Sequence, residues 1–191
     1  MMRNVNVRDM TMCAMFTVLI AVGAFIRVPV PVVPFTLQFL FTMMAGLLLG
    51  GELGGMSVLL YAVLGLAGLP IFTEGGGIWY LAKPSFGYII GFIIAAYVTG
   101  RMTEHMEKFQ MKRVLAANFT GLLIVYGVGM AYYYFICNFV IDTPIGLRPL
   151  FFYCFALAVP GDICLCILAA FLYKRVRPAL HSLRLNQRGV R

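Results

Sequence analysis

Long apolar stretches broken by short polar ones run through the whole chain, without the two-residue alternation of exposed strands. Met10 to Ile26 gives 17 residues without a charge, and Arg27 closes the run. Val28 to Pro34 follows with Pro29, Pro31 and Pro34, a spacing that forbids regular helix and favours extended backbone. Phe35-Thr36-Leu37-Gln38 leads into a second run that ends at Gly50-Gly51. A third covers Met56 to Leu69, with Glu52 in the turn between them. At about 1.5 Å per residue both are short for a bilayer crossing. They read as two helices in a tight hairpin; a single re-entrant pair is the alternative and would reverse the topology downstream. A fourth helix is expected from Ser85 to Gly100, a fifth from Val114 to Phe139 and a sixth from Leu150 to Tyr173.

Runs of about 20 apolar residues cross a bilayer as helices, whereas barrel strands would alternate over about ten residues. The expectation is therefore an all-α polytopic membrane protein with six transmembrane helices, one domain over residues 1–178. A basic cytoplasmic tail, 179–191, would follow, poorly ordered beyond Pro178. The first run also resembles a signal-peptide core, with Ala21-Val22-Gly23 placed like a cleavage site. It is longer than the usual core and further spans follow, so it reads as a retained helix.

Composition agrees. The chain is 62% hydrophobic and 12% charged, against about 45–50% and 25% for soluble domains. Its net charge of +8 raises the question of nucleic acid, but the basic residues gather at the ends of apolar runs and form no aromatic-interleaved surface. That is the pattern of the positive-inside rule. With both termini cytoplasmic, twelve Lys and Arg residues lie inside and only Arg27, Lys83 and Arg148 outside. The proline-rich stretch, the glycine-rich segment Pro70 to Pro84 and the Asp142 link then share the outer face. Five cysteines show no metal spacing, and His105 and His181 lie in charged connections, so no metal site is expected.

The most informative residue is Asp162, the one carboxylate in the 24 residues from Leu150 to Tyr173. Placing it mid-membrane costs about 2.5–3.5 kcal/mol, while each of the run's twelve Leu, Ile, Phe and Val residues returns about 0.3–0.6 kcal/mol. The segment inserts regardless, and an acid there usually meets a substrate, an ion or a structural partner. Enzymes need more. No HExxH, GxSxG, P-loop or paired-acid motif is present, and one carboxylate gives thin support for general acid–base catalysis. No catalytic residue is assigned. A pocket for one small polar molecule demands only an apolar cavity, a few polar groups and a loop. Asp162, Gln38, Tyr88, Trp79 and Lys83 supply these, with Gly76 and Gly77 able to bring backbone close to a ligand.

Several motifs, taken in order, carry a resemblance. They are Ala21-Val22-Gly23-Ala24; Val30-Pro31-Val32-Val33-Pro34-Phe35-Thr36-Leu37-Gln38; Gly68-Leu69-Pro70-Ile71-Phe72; Gly75-Gly76-Gly77; Pro84-Ser85-Phe86-Gly87-Tyr88; Gly91-Phe92; and Pro160-Gly161-Asp162. Over residues 8–178 the chain resembles the BioY family, the biotin-binding S components of energy-coupling factor transporters in the bacterial cell membrane. The resemblance implies a six-helix protein holding biotin near the outer face. Its implied partners are a transmembrane coupling subunit and two cytoplasmic ATPase subunits, which alone use ATP; no cofactor is implied for this chain. Asp162 would be the ligand-contacting acid, accepting from ureido N–H donors, and Tyr88 matches the tyrosine that follows the proline-glycine turn before helix 4.

One departure stands out. The family commonly places a lysine three residues after that aspartate, where it meets the ligand's carboxylate; here the position is Leu165. Lys83 is the expected substitute, with a snorkelling surface lysine as the alternative. The resemblance also implies docking on the coupling subunit through small residues four apart in helix 1. Ala14 is in place opposite Val18, and Thr17 and Ala21 form a second small pair; ordinary packing is the alternative. The leading expectation is an S component for biotin. An S component for a related vitamin or biotin precursor, or a small intramembrane enzyme using Asp162, are the alternatives.

Overall fold

The computed structural model describes residues 6–28, 35–106, 108–141, 143–156 and 158–188. The architecture is helical: α1 (Val7–Phe25), α2 (Gln38–Leu49), α3 (Gly51–Leu66), α4 (Phe86–Glu104), α5 (Met111–Phe139), α6 (Leu147–Phe151) and α7 (Val159–Arg188). Among the described residues, α1, α4 and α5 are long and apolar enough to cross a membrane; α2 and α3 are shorter apolar helices. The bundle is built around α2, ten of whose twelve residues are buried. A helix apolar on every side belongs inside others, and α1, α3, α4 and α7 enclose it.

The proline-rich connection is pinned at its ends. Arg27–Val28 (β1) pairs antiparallel with Phe35–Thr36 (β2), and the Leu37 amide donates to the Ile26 carbonyl at 3.1 Å. The prolines themselves, within 29–34, lie outside the described residues.

The expected hairpin is present, and it is tighter than the sequence suggested. A single residue, Gly50, joins α2 to α3 with φ at +90°, a conformation that L side chains rarely adopt. The two helices then pack at backbone distance: a Cβ on Gly54 would stand 2.7 Å from the Gly46 Cα. Small residues of this kind substitute for the missing hydrophobic drive between helices in lipid.

The expected sixth helix is broken. Leu147–Phe151 is helical, Phe152–Ala156 forms a wider turn of π type, and a fresh helix begins at Val159. Asp162 therefore sits in the first turn of α7, not halfway along a span. Pro160 explains the restart, because a proline's missing N–H costs nothing in a first helical turn but removes a bond further along. At its other end α7 continues through Pro178 to Arg188, where the sequence suggested loss of order.

Candidate functional site

Three helices begin at the same end of the bundle, and their first turns meet. Gln38 opens α2, Ser85 precedes α4 with Tyr88 in its first turn, and Ala158 precedes α7 with Asp162 in its first turn. Between them lies a cavity lined also by Thr36, Phe39, Tyr61, Thr73, Tyr80, Ile89, Phe92, Val125 and Tyr126. Apolar rings and aliphatic groups make its walls, and a handful of hydroxyl, amide and carboxyl groups face inward together.

Asp162 is 8% exposed, and one of its oxygens, Oδ2, accepts from the Tyr126 hydroxyl at 2.5 Å. The three helix starts direct their unpaired N–H groups toward this end, which favours a negative group there. Tyr126 is held by ring packing on Tyr88 at 6.0 Å and Phe155 at 5.4 Å, both edge to face. Two donors are left over. The Gln38 amide nitrogen, beside the Tyr61 hydroxyl, makes no hydrogen bond of normal geometry, and the Tyr88 hydroxyl has only the neighbouring Cys154 thiol. Gln38 is 4% and Tyr88 7% exposed, so water does not readily satisfy either. Unpaired buried polar atoms are uncommon in folded proteins, and each calls for an explanation.

The glycine-rich segment closes this end as a folded cap. Phe72 is buried between the rings of Tyr61 at 5.3 Å and Tyr80 at 4.5 Å. The Tyr61 hydroxyl donates to the Ile71 carbonyl, and the Gly77 amide donates to the Gly65 carbonyl at 2.7 Å. Gly77 has φ at +102°, so its backbone can turn back onto α3. The Tyr132 hydroxyl holds the Leu81 carbonyl from α5, and Arg27 holds the Thr73 carbonyl from the end of α1.

Of the residues singled out in the sequence, Gln38, Tyr88 and Asp162 thus share one cavity. Lys83, Trp79, Gly76 and Gly77 do not line it. Lys83 stands at the rim, paired with Glu74 at 2.9 Å and lying over the Tyr80 ring at 5.1 Å. Trp79 is 84% exposed on the outside of the cap. Leu165 is packed in the core. On α1, Ala14 and Val18 are exposed and Ala21 is half-buried, but Thr17 turns inward: its hydroxyl bonds the carbonyls of Cys13 and Ser57, both at 2.9 Å.

The sequence reading missed Tyr126 as the partner of Asp162, along with Tyr61, Thr73 and Tyr80. A signal existed for Tyr126, since a phenol inside an apolar run usually finds a hydrogen-bond partner. Its partner lies 36 residues away in the chain, however, so only the fold shows which one.

The profile of the BioY family matches residues 1–182. The chain belongs to the BioY family. A probable biotin transporter BioY of Lysinibacillus sphaericus is 42% identical over 184 residues, covering 96% of this chain and 94% of that one. The biotin transporter BioY of Thermotoga maritima is 40% identical over 133 residues, 69% of this chain and 75% of that one. Among solved structures, the S component for biotin from an ECF-type ABC transporter superposes with a TM-score of 0.75 at 28% identity. The match covers 93% of this chain and 95% of that one.

Proposed function

We propose that this chain is the biotin-binding membrane subunit of an energy-coupling factor importer. The observation that carries the reading is the donor and acceptor pattern of the cavity. A cyclic urea offers two N–H donors and one carbonyl acceptor. The cavity offers a carboxylate with Tyr126 on one oxygen only, and two under-used buried donors, Gln38 Nε2 without a partner and the Tyr88 hydroxyl with only the weakly accepting Cys154 thiol beside it. Each unpaired group costs free energy in the empty protein and regains it when a matching ligand enters. The apolar walls of Phe39, Ile89, Phe92 and Val125 suit the ring system that carries the urea.

In this reading the chain crosses the bacterial cell membrane six times with both termini in the cytoplasm. The crossings are α1, α2, α3, α4, α5 and α7. The twelve-to-three distribution of basic residues supports that orientation. The cavity then opens outward beneath the cap of residues 67–85, where Trp79, Gly76 and Gly77 cover the entrance and Lys83 meets the ligand's tail. Import draws on ATP hydrolysed by two cytoplasmic ATPase subunits through a transmembrane coupling subunit. The exposed face of α1 bearing Ala14, Val18 and Ala21 is the proposed docking surface. Thr17 supports that face from behind by tying α1 to α3.

Equilibrium titration of the detergent-purified chain with biotin tests the reading directly. Stoichiometric binding that is weakened about 10- to 150-fold in Asp162→Asn is the expected result. Binding unaffected by that substitution, or turnover of biotin into a product, would overturn it.

A further inference from the structure

Among the described residues, no basic side chain lines the cavity. Its lining holds one carboxyl group, Asp162, together with hydroxyl and amide groups, and among the described residues no lysine, arginine or histidine. Residues 29–34, between the two strands, are only proline and valine. Leu165, one turn beyond Asp162 in α7, is packed in the core. The N-terminal ends of α2, α4 and α7 favour a negative charge, but Asp162 already supplies it.

Two cations, Arg27 and Lys83, stand at the cap beside the lining and both are engaged; Arg148, the third cation assigned to the outer face, is exposed on α6 and does not line the cavity. The exposed Arg27 guanidinium donates to the Thr73 carbonyl at 3.0 Å. Lys83 is paired with Glu74, and their side chains are 40% and 49% exposed. A ligand carboxylate emerging there has to compete with Glu74 and with water. Exposed pairs of this kind shift an equilibrium by no more than about fivefold. Hydrogen bonds to a buried charge are worth about 10- to 150-fold. The buried end of the site thus dominates recognition, and it is built for an uncharged group.

We propose that the site selects its ligand by the uncharged cyclic-urea head and not by the charge of the tail. It therefore binds ligands carrying the same head on a neutral, amide- or ester-capped tail about as well as the free acid. This inference rests on the reading of the cavity as a biotin site. Asp162, Gln38 and Tyr88 set specificity for the head, and the rim leaves the far end of the tail unselected.

The experiment is a pair of calorimetric titrations of the full-length chain in detergent, one with biotin and one with its primary amide, in which an uncharged CONH2 of about the same size replaces the carboxylate. Dissociation constants within tenfold of each other are expected. Pentanoate, a tail acid without the ring, is expected not to displace either compound. A preference for biotin over the amide of more than tenfold overturns the inference, as does displacement by pentanoate at concentrations comparable to biotin. Binding of biotin alone counts against this inference only. Failure of both compounds to bind removes the underlying reading, and the inference with it.

Discussion

Two of the groups of buried polar side chains in this bundle are completed to different degrees. In the seam between α1 and α3, the Thr17 hydroxyl bonds the Cys13 and Ser57 carbonyls, and the Ser57 hydroxyl bonds the Leu53 carbonyl at 2.8 Å. Every hydroxyl there has its partner inside the chain. At the cavity, by contrast, Gln38 Nε2 has no partner and the Tyr88 hydroxyl has only the Cys154 thiol, although both are just as buried. The first arrangement spends its hydrogen bonds on holding two helices together. The second leaves them unmade, which lowers the stability of the empty protein and, in the function proposed above, keeps the groups for the ligand. A similar residue inventory thus separates into structure and recognition according to who supplies the partner.

The largest expected effect comes from the one charged member. Asp162→Asn should weaken biotin about 10- to 150-fold, the equivalent of about 1.5–3 kcal/mol for hydrogen bonds to a charged group, as read by titration. A change of less than threefold would mean that the carboxylate serves Tyr126 alone. Next comes a pair of opposite substitutions. Tyr88→Phe deletes a donor whose one neighbour in the chain is the Cys154 thiol, so biotin should bind about 2- to 12-fold more weakly while the ligand-free protein keeps its melting temperature. Thr17→Val removes partnered bonds, so the melting temperature should fall, by about 1 kcal/mol in stability, with biotin affinity unchanged. If both substitutions cost stability equally, the distinction between the two regions collapses. The smallest effect is assigned to Lys83→Ala, where the exposed pair with Glu74 limits the loss of biotin affinity to about fivefold or less.

Much of the fold was legible because lipid allows so few solutions. Continuous apolar runs have to be helices, and their charged ends locate the turns. α1, α4 and α5 accordingly fall close to the expected runs, each extended at one or both ends: α1 opens at Val7 and α5 at Met111. The hydrophobic pattern could not show the break before α7, because the residues on both sides of it are equally apolar. Pro160 was the only local sign, and a proline inside a long run signals either a kink or a new start. Within the site, Asp162 and Gln38 stood out as polar residues in apolar runs. Lys83 stood out for its charge, but charge does not report reach: the bond to Glu74 and the packing over Tyr80 set it at the rim. Tyr126 showed neither charge nor unusual spacing, and its role depends on a contact that only tertiary structure creates.

The shortness of α2 has a geometric consequence. Its twelve residues rise about 18 Å, whereas the hydrocarbon layer is about 30 Å thick. A helix of that length falls short of the α1, α4 and α5 helices packed around it or beside it. The cavity lies over the end of α2 where Gln38 stands, and in the six-crossing arrangement proposed above this places a polar chamber within the depth of the membrane without any other helix having to bow outward. Lengthening α2 by one turn at that end would fill the chamber with its own backbone, and the capacity to hold a ligand is in this sense encoded as a missing length of helix.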